Sequence, residues 1–175
     1  MVVIGVDPGT QGALCLLDSS TNNTIYFHSL PDGNALYESV DSILNWLRIL
    51  QIPHKIAIED VHSMGGMSAK SNFQFGRNLG LIEALIHSWS NQVEYVQPKA
   101  WQKACGIVFS YPKGATASEK SKIRKMTTAA RVLELYPRAD IYGPKGGLKD
   151  GRSDALMIAH YLTLKYGDEN GPTKT

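Results

Sequence analysis

Cysteine is scarce in this sequence of 175 residues: Cys15 and Cys105 stand alone. They lack metal-ligand spacing and Cys15 falls in a predicted strand, so both are read as reduced thiols. No apolar run approaches the roughly 18 residues of a membrane span. The opening MVVIGVD has neither the basic leader nor the long apolar stretch of a signal peptide. A soluble, cytoplasmic protein with no membrane partner is therefore expected. There is no internal repeat, no domain-splitting linker, and no Ser/His or Cys/His arrangement suited to nucleophilic catalysis. What is present, 43% hydrophobic and 19% charged residues, fits one globular domain over 1–166 with a polar tail at 167–175. A net charge of +2 is small, but its distribution is uneven. Lys113, Lys120, Lys122, Arg124, Lys125 and Arg131 face a single acid, Glu119, in one short span. Such a local excess attracts a polyanion.

Periodicity predicts strands at 2–7, 12–18 and 24–30 joined by short turns, hence an antiparallel meander. Leu36, Val40, Ile43, Leu44, Leu47 and Leu50 recur at helical spacing over 35–50, and HKIAIEDV at 54–61 reads as a buried strand. A helix between strands implies a crossover to a parallel position. A glycine-bearing loop at 62–70, a helix at 72–90, a strand at 92–97 and a short helix at 98–104 opened by Pro98 follow. A basic helix at 118–136, a glycine-rich loop at 143–151 and a helix at 153–166 complete the chain. The fold class is α/β, with a mixed five-stranded sheet, three strands antiparallel and then two parallel, flanked by helices.

Three acids invite a chemical reading. Alternation puts Val3, Gly5 and Asp7 on one face of the first strand, and Ala57 and Glu59 on one face of the fourth. Each acid follows a very small residue on its own face, which leaves room for a helix to pack close. Asp154, Ile158 and Leu162 form a stripe on the last helix, flanked by Ala155 and Ala159. If the strands are parallel neighbours, Asp7 and Glu59 stand together at their carboxyl ends, where α/β sheets place sites, and Asp154 joins them. Three such anions need compensation, and Mg²⁺, with Mn²⁺ able to take its place, is the natural cofactor. Two ions roughly 3.5–4 Å apart activate water on a phosphodiester. Bland readings stand beside this one: Asp7 as a turn-forming residue, Glu59 as surface charge, Asp154 as a favourable charge in the first helical turn. Asp150, four residues before Asp154, is either a fourth member or an N-cap.

VIGVDPGTQGAL, AIEDVHSM, SNFQFGRNLGLIEALI, VQPKAWQKACGI, SEKSKIRKM and KDGRSDALMIAHY, in that order, resemble the RuvC-like Holliday junction resolvases, in particular their phage-type branch, within the RNase H-like superfamily. The resemblance implies an RNase H-like fold and a homodimer that cuts four-way junctions in recombination, repair or replication. It implies that Asp7, Glu59 and Asp154 are metal-binding catalytic carboxylates, with Asp150 as the fourth. Bacterial members space the last two positions three apart rather than four; both spacings share a helical face. They carry a stacking aromatic three residues after the glutamate, where this chain has His62. A phage-encoded member would act in the host cytoplasm.

Arg77, Lys99, Lys103, Lys120, Lys122, Arg124 and Lys125 join His62 as candidate DNA contacts. Phe73, Phe75, Leu79, Ile82, Ile86 and Trp89 on the 72–90 helix offer either core or dimer surface. Competing readings are a broader nuclease for flaps, other branched DNA or RNA–DNA hybrids, a non-cleaving junction binder, and an actin-like ATPase. The last needs a second phosphate loop that the chain lacks.

Overall fold

Val2–Asp7 (β1), Ala13–Asp18 (β2) and Ile25–Ser29 (β3) form the expected antiparallel meander. His54–Glu59 (β4) and Val93–Val96 (β5) extend the sheet in parallel from the other side of β1, giving the order β3-β2-β1-β4-β5. The helices are Asn34–Ile49 (α1), Ala69–Trp89 (α2), Pro98–Ala104 (α3), Ala117–Leu135 (α4) and Asp150–Tyr166 (α5). This computed structural model describes residues 1–9, 11–18, 25–30, 34–49, 51, 54–61, 68–90 and 92–167. His62 and the tail beyond Gly167 lie outside them. Among the described residues, no helix is long and apolar enough to cross a membrane.

β1 lies in the middle of the sheet and is covered on both faces. Ile4, Val6, Leu14, Leu16, Ile56 and Ile58 point to one side and pack against Val40, Ile43, Leu44 and Leu47 of α1 and Ile82, Leu85 and Ile86 of α2. Val3, Cys15, Leu17 and Ala57 point to the other, where Trp101 of α3, Ala129 and Val132 of α4, and the buried stripes of α5 close over them. The helical spacing expected for α1 is present at each of its described positions. On α2, Phe75, Ile82 and Ile86 are core, whereas Phe73 is 68% exposed.

Three boundaries move by two residues or more from expectation, each for a local reason. β4 ends at Glu59 rather than at residue 61 because Pro98 opens α3 and ends the neighbouring strand, leaving only the Asp60 N–H donating to the Val96 carbonyl at 2.8 Å. α2 begins at Ala69, where the Ser68 hydroxyl accepts from the Ser71 N–H at 3.1 Å. α5 begins at Asp150, not at residue 153. The Lys149 carbonyl accepts from the Arg152 N–H at 2.9 Å and the Ser153 N–H at 3.3 Å, so Lys149 is the N-cap and Asp150 the first helical residue. The capping reading of Asp150 is thereby excluded.

Candidate active site

Gly5 decides how near α5 comes to the sheet. A Cβ there would stand 2.1 Å from the Ala155 carbonyl oxygen and 2.4 Å from the Ala159 nitrogen, so helix backbone rests on strand backbone. The turn after β1 holds the start of the same helix. A Cβ on Gly151 would meet the Gln11 carbonyl oxygen at 2.1 Å, and one on Gly12 would meet that of Asp7 at 2.1 Å. These close approaches fix the first turns of α5, with Asp150 and Asp154, against the end of β1.

The parallel register pairs Gly5 with Ala57 and Val6 with Ile58, so Asp7 and Glu59 follow side by side at the carboxyl ends of their strands. Asp7 also makes the turn contact that its local sequence suggests: its Oδ1 accepts the Gly9 N–H at 2.9 Å. The turn and site readings are compatible, because this bond fixes the carboxylate's direction. Glu59 Oε1 accepts the indole N–H of Trp101 at 2.9 Å. Trp101 is buried, and a buried indole needs such an acceptor.

Electrostatics show the acids acting on one another. Burial pushes the Asp7 carboxyl up to about 6, with the charge of Asp150 adding to the rise and the Gly9 N–H and Lys125 opposing it. Burial likewise pushes Glu59 up to about 7, helped by Asp7 and opposed by Trp101. Asp154 is held well above the usual carboxylate range by burial and then by Asp7, Glu59 and Asp150, with Lys125 opposing. Asp150 pairs with Lys125 Nζ at 2.6 Å. All four predicted acids thus belong to one electrostatic cluster at the carboxyl ends of β1 and β4.

Among the described residues, the side chains are not drawn into a closed three-ligand cage. The donors are oxygens alone, and four carboxylates share the single ammonium of Lys125, the chemistry that a hard divalent cation satisfies. The set therefore fits Mg²⁺ in kind. Among the described residues, Lys125 carries part of that role.

The basic candidates divide by position. Lys120, Lys122, Arg124 and Lys125 of α4 and Lys99 and Lys103 of α3 are all exposed, and of these Lys125 is the one whose ammonium reaches Asp150 in the acidic cluster. Arg77 is exposed on α2, its guanidinium 6.0 Å from the Phe73 ring centroid. Sequence reasoning missed Trp101 as the donor to Glu59, a contact spanning 42 residues. It also missed the inward aim of Lys125, for which Thr128, Ala129 and Val132 give the signal. They are the buried stripe of α4, and Lys125 lies one turn before them on that stripe.

The solved structures include two similar ones. T. thermophilus RuvC in complex with a Holliday junction substrate is 16% identical, with a TM-score of 0.61 over 97% of this chain and 96% of that one. A second Thermus thermophilus RuvC structure is also 16% identical, with a TM-score of 0.57 over 97% of each chain. No protein-family model and no curated protein sequence matches the chain. The chain has the RuvC-like architecture: a mixed five-stranded sheet flanked by helices.

Proposed function

We propose that this chain is a metal-dependent endonuclease that resolves four-way DNA junctions. The observation that carries the reading is the convergence of Asp7, Glu59 and Asp154, three carboxylates brought to a single place by two parallel strands and one helix that presses its backbone onto them, and each held above the usual carboxylate range first by burial and then by a neighbouring acid. A fold shared with a protein solved on a Holliday junction supports the choice of substrate. Exposed Lys99, Lys103, Lys120, Lys122 and Arg124 support a polyanionic partner.

Asp7, Glu59 and Asp154 would hold the divalent cations, two per site, with Asp150 joining when released by Lys125. The chemistry such ions would supply there is activation of a water and stabilisation of the leaving oxygen of the phosphodiester. The protein's part is preorganisation. The Gly9 N–H aims Asp7, and the Trp101 indole aims Glu59 and favours its ionised form. The Gly5 contact sets the depth of Asp154. Lys125 offsets the acids' repulsion in the free protein.

A homodimer suits the two-fold symmetry of a junction. The exposed side of α2 supports one: Phe73 is open to solvent, and Gly76 and Gly80 have clear space above them.

The test is to incubate the protein with labelled four-way junctions, flaps, RNA–DNA hybrids and duplexes, with Mg²⁺ or with excess chelator. Junctions are expected to be cut in Mg²⁺ and not by Asp7→Asn. Cutting that survives either the substitution or the chelator would sink the proposal, and preference for flaps or hybrids would redirect it.

A further inference from the structure

Between Cys105 and α4 the chain displays an aromatic and basic surface that the acidic site does not use. Ile107 is buried and Phe109 packs on the α3–α5 core, while Val108 is 80% exposed and Tyr111 37% exposed. Tyr111 rests on the anchored Phe109, their ring centroids 6.3 Å apart and their planes 26° apart. Its ring is thus held in place and presented to solvent.

Both ends of this stretch are pinned. Arg131 Nε donates to the Cys105 carbonyl at 2.9 Å, tying the start to α4. At the other end, the Ala115 N–H donates to the Pro112 carbonyl at 3.1 Å across Lys113 and Gly114, and Gly114 has φ +80°, the pattern of a type II turn. Thr116 and Glu119 then form a capping box at the head of α4.

Between this turn and α4 lies a cleft of about 280 Å³ lined by Lys113, Lys122, Glu119 and Ile123. Glu119 brings a negative charge to the cleft, but its Oε2 is held at the head of α4, accepting from both the N–H and the hydroxyl of Thr116 at 2.8 Å, and Lys113 and Lys122 outnumber it. Lys122 precedes Lys125 by three residues, so the two share a face of α4 roughly 4.5 Å apart along its axis. A strand whose phosphate reaches the acids therefore passes this cleft within about a helical turn.

We propose that residues 108–113 and the first turns of α4 form a binding site for an unpaired nucleotide, with Tyr111 stacking on the base and Lys113 and Lys122 holding phosphate. The proposal rests on the nuclease reading and adds to it a requirement for an unstacked base beside the cleavage point. A fixed aromatic face beside exposed amines is how single-stranded nucleic acid is held without sequence preference.

The experiment measures binding in chelator, where nothing is cut, of a fluorescent thymidine oligonucleotide, a four-way junction and a fully paired duplex. Tyr111→Ala is expected to weaken oligonucleotide binding roughly 5- to 150-fold, the range of one base–aromatic stack, and to leave the duplex within about twofold. Tyr111→Phe keeps the ring and should restore binding. Removing Lys113 and Lys122 together should lower the salt slope by about 1.4 on the single strand. Oligonucleotide binding unchanged in Tyr111→Ala, or an equal loss on duplex, overturns this site while leaving the nuclease reading intact. Failure of the wild type to bind any of the three DNAs overturns both.

Discussion

The two faces of the sheet solve different problems with the same strands. Towards α1 and α2, β1 and β4 present Ile4, Val6, Ile56 and Ile58, branched side chains that fill space and carry no charge. Towards α5 they present Gly5 and Ala57, and then Asp7 and Glu59. The first face gains stability from volume. The second gives up volume so that a helix can press its backbone onto the strand, and it uses the closeness to crowd carboxylates that repel one another. Stability and site are thus built back to back on single strands, one residue out of phase.

Substitution at matched depth separates the faces most sharply. Gly5→Ala puts a methyl group 2.1 Å from the Ala155 carbonyl oxygen, and neither backbone can yield without moving α5. A loss of at least about 3 kcal/mol, the upper end of overpacking costs, is expected in denaturant titrations, with nuclease activity abolished. Ile56→Val on the opposite face should cost about 1 kcal/mol and leave cleavage unchanged. Similar costs at both positions would dissolve the distinction.

The acids give the charged face its own dependence on pH. A carboxyl whose pKa rises on folding holds its proton more tightly when folded, so its contribution is present at low pH and lost as pH climbs. Asp7 moves from 3.8 to about 6 and Glu59 from 4.5 to about 7. Without divalent cations, these two groups should therefore make stability fall between about pH 4 and pH 7, by up to about 3 kcal/mol per group, with Asp154, held higher still, carrying the fall onward. Millimolar Mg²⁺ should flatten that fall. Asp7→Asn should flatten it in part without metal; a curve unaffected by the substitution would mean that Asp7 does not titrate in this window.

Much of this was legible in the sequence, and the exceptions have physical causes. Period-two alternation with Gly5 and Ala57 ahead of the acids was enough to place Asp7 and Glu59 on the α5 side. The Asp154, Ile158 and Leu162 stripe oriented the helix. The start of α5 was hidden because Lys149, Asp150 and Gly151 read as loop; that turn is held by packing of Gly151 on Gln11 rather than by propensity. Trp101 was hidden because its contact with Glu59 depends on the β4–β5 pairing that brings α3 to the site, and no local pattern encodes it.

Trp101 offers the next test. Trp101→Phe keeps an aromatic ring but removes the N–H that favours ionised Glu59. About 2 kcal/mol should be lost, from a buried bond to a charged group. Because that bond lowers the Glu59 pKa, its loss should move the acidic limb of the pH–rate profile upward. A fall in rate with the limb unmoved would mean that the indole only fills space.

The contrast between faces recurs on α4 in miniature, with the smallest expected effects. Lys125 reaches Asp150 at 2.6 Å, but its side chain is 51% exposed, so the pair is worth less than about 1 kcal/mol. Lys125→Met should therefore unfold almost as wild type does. Its effect should appear in titration, because Lys125 lowers the pKa of both Asp7 and Asp154: the acidic limb should shift upward, and affinity for Mn²⁺ should rise as a competing positive charge is removed. Exposed Lys120 supplies the control. Lys120→Met should leave both quantities alone and only reduce the salt slope of junction binding by about 0.9. If the two variants behaved alike, Lys125 would be one more surface lysine, and the charged face of the sheet would end at the carboxylates.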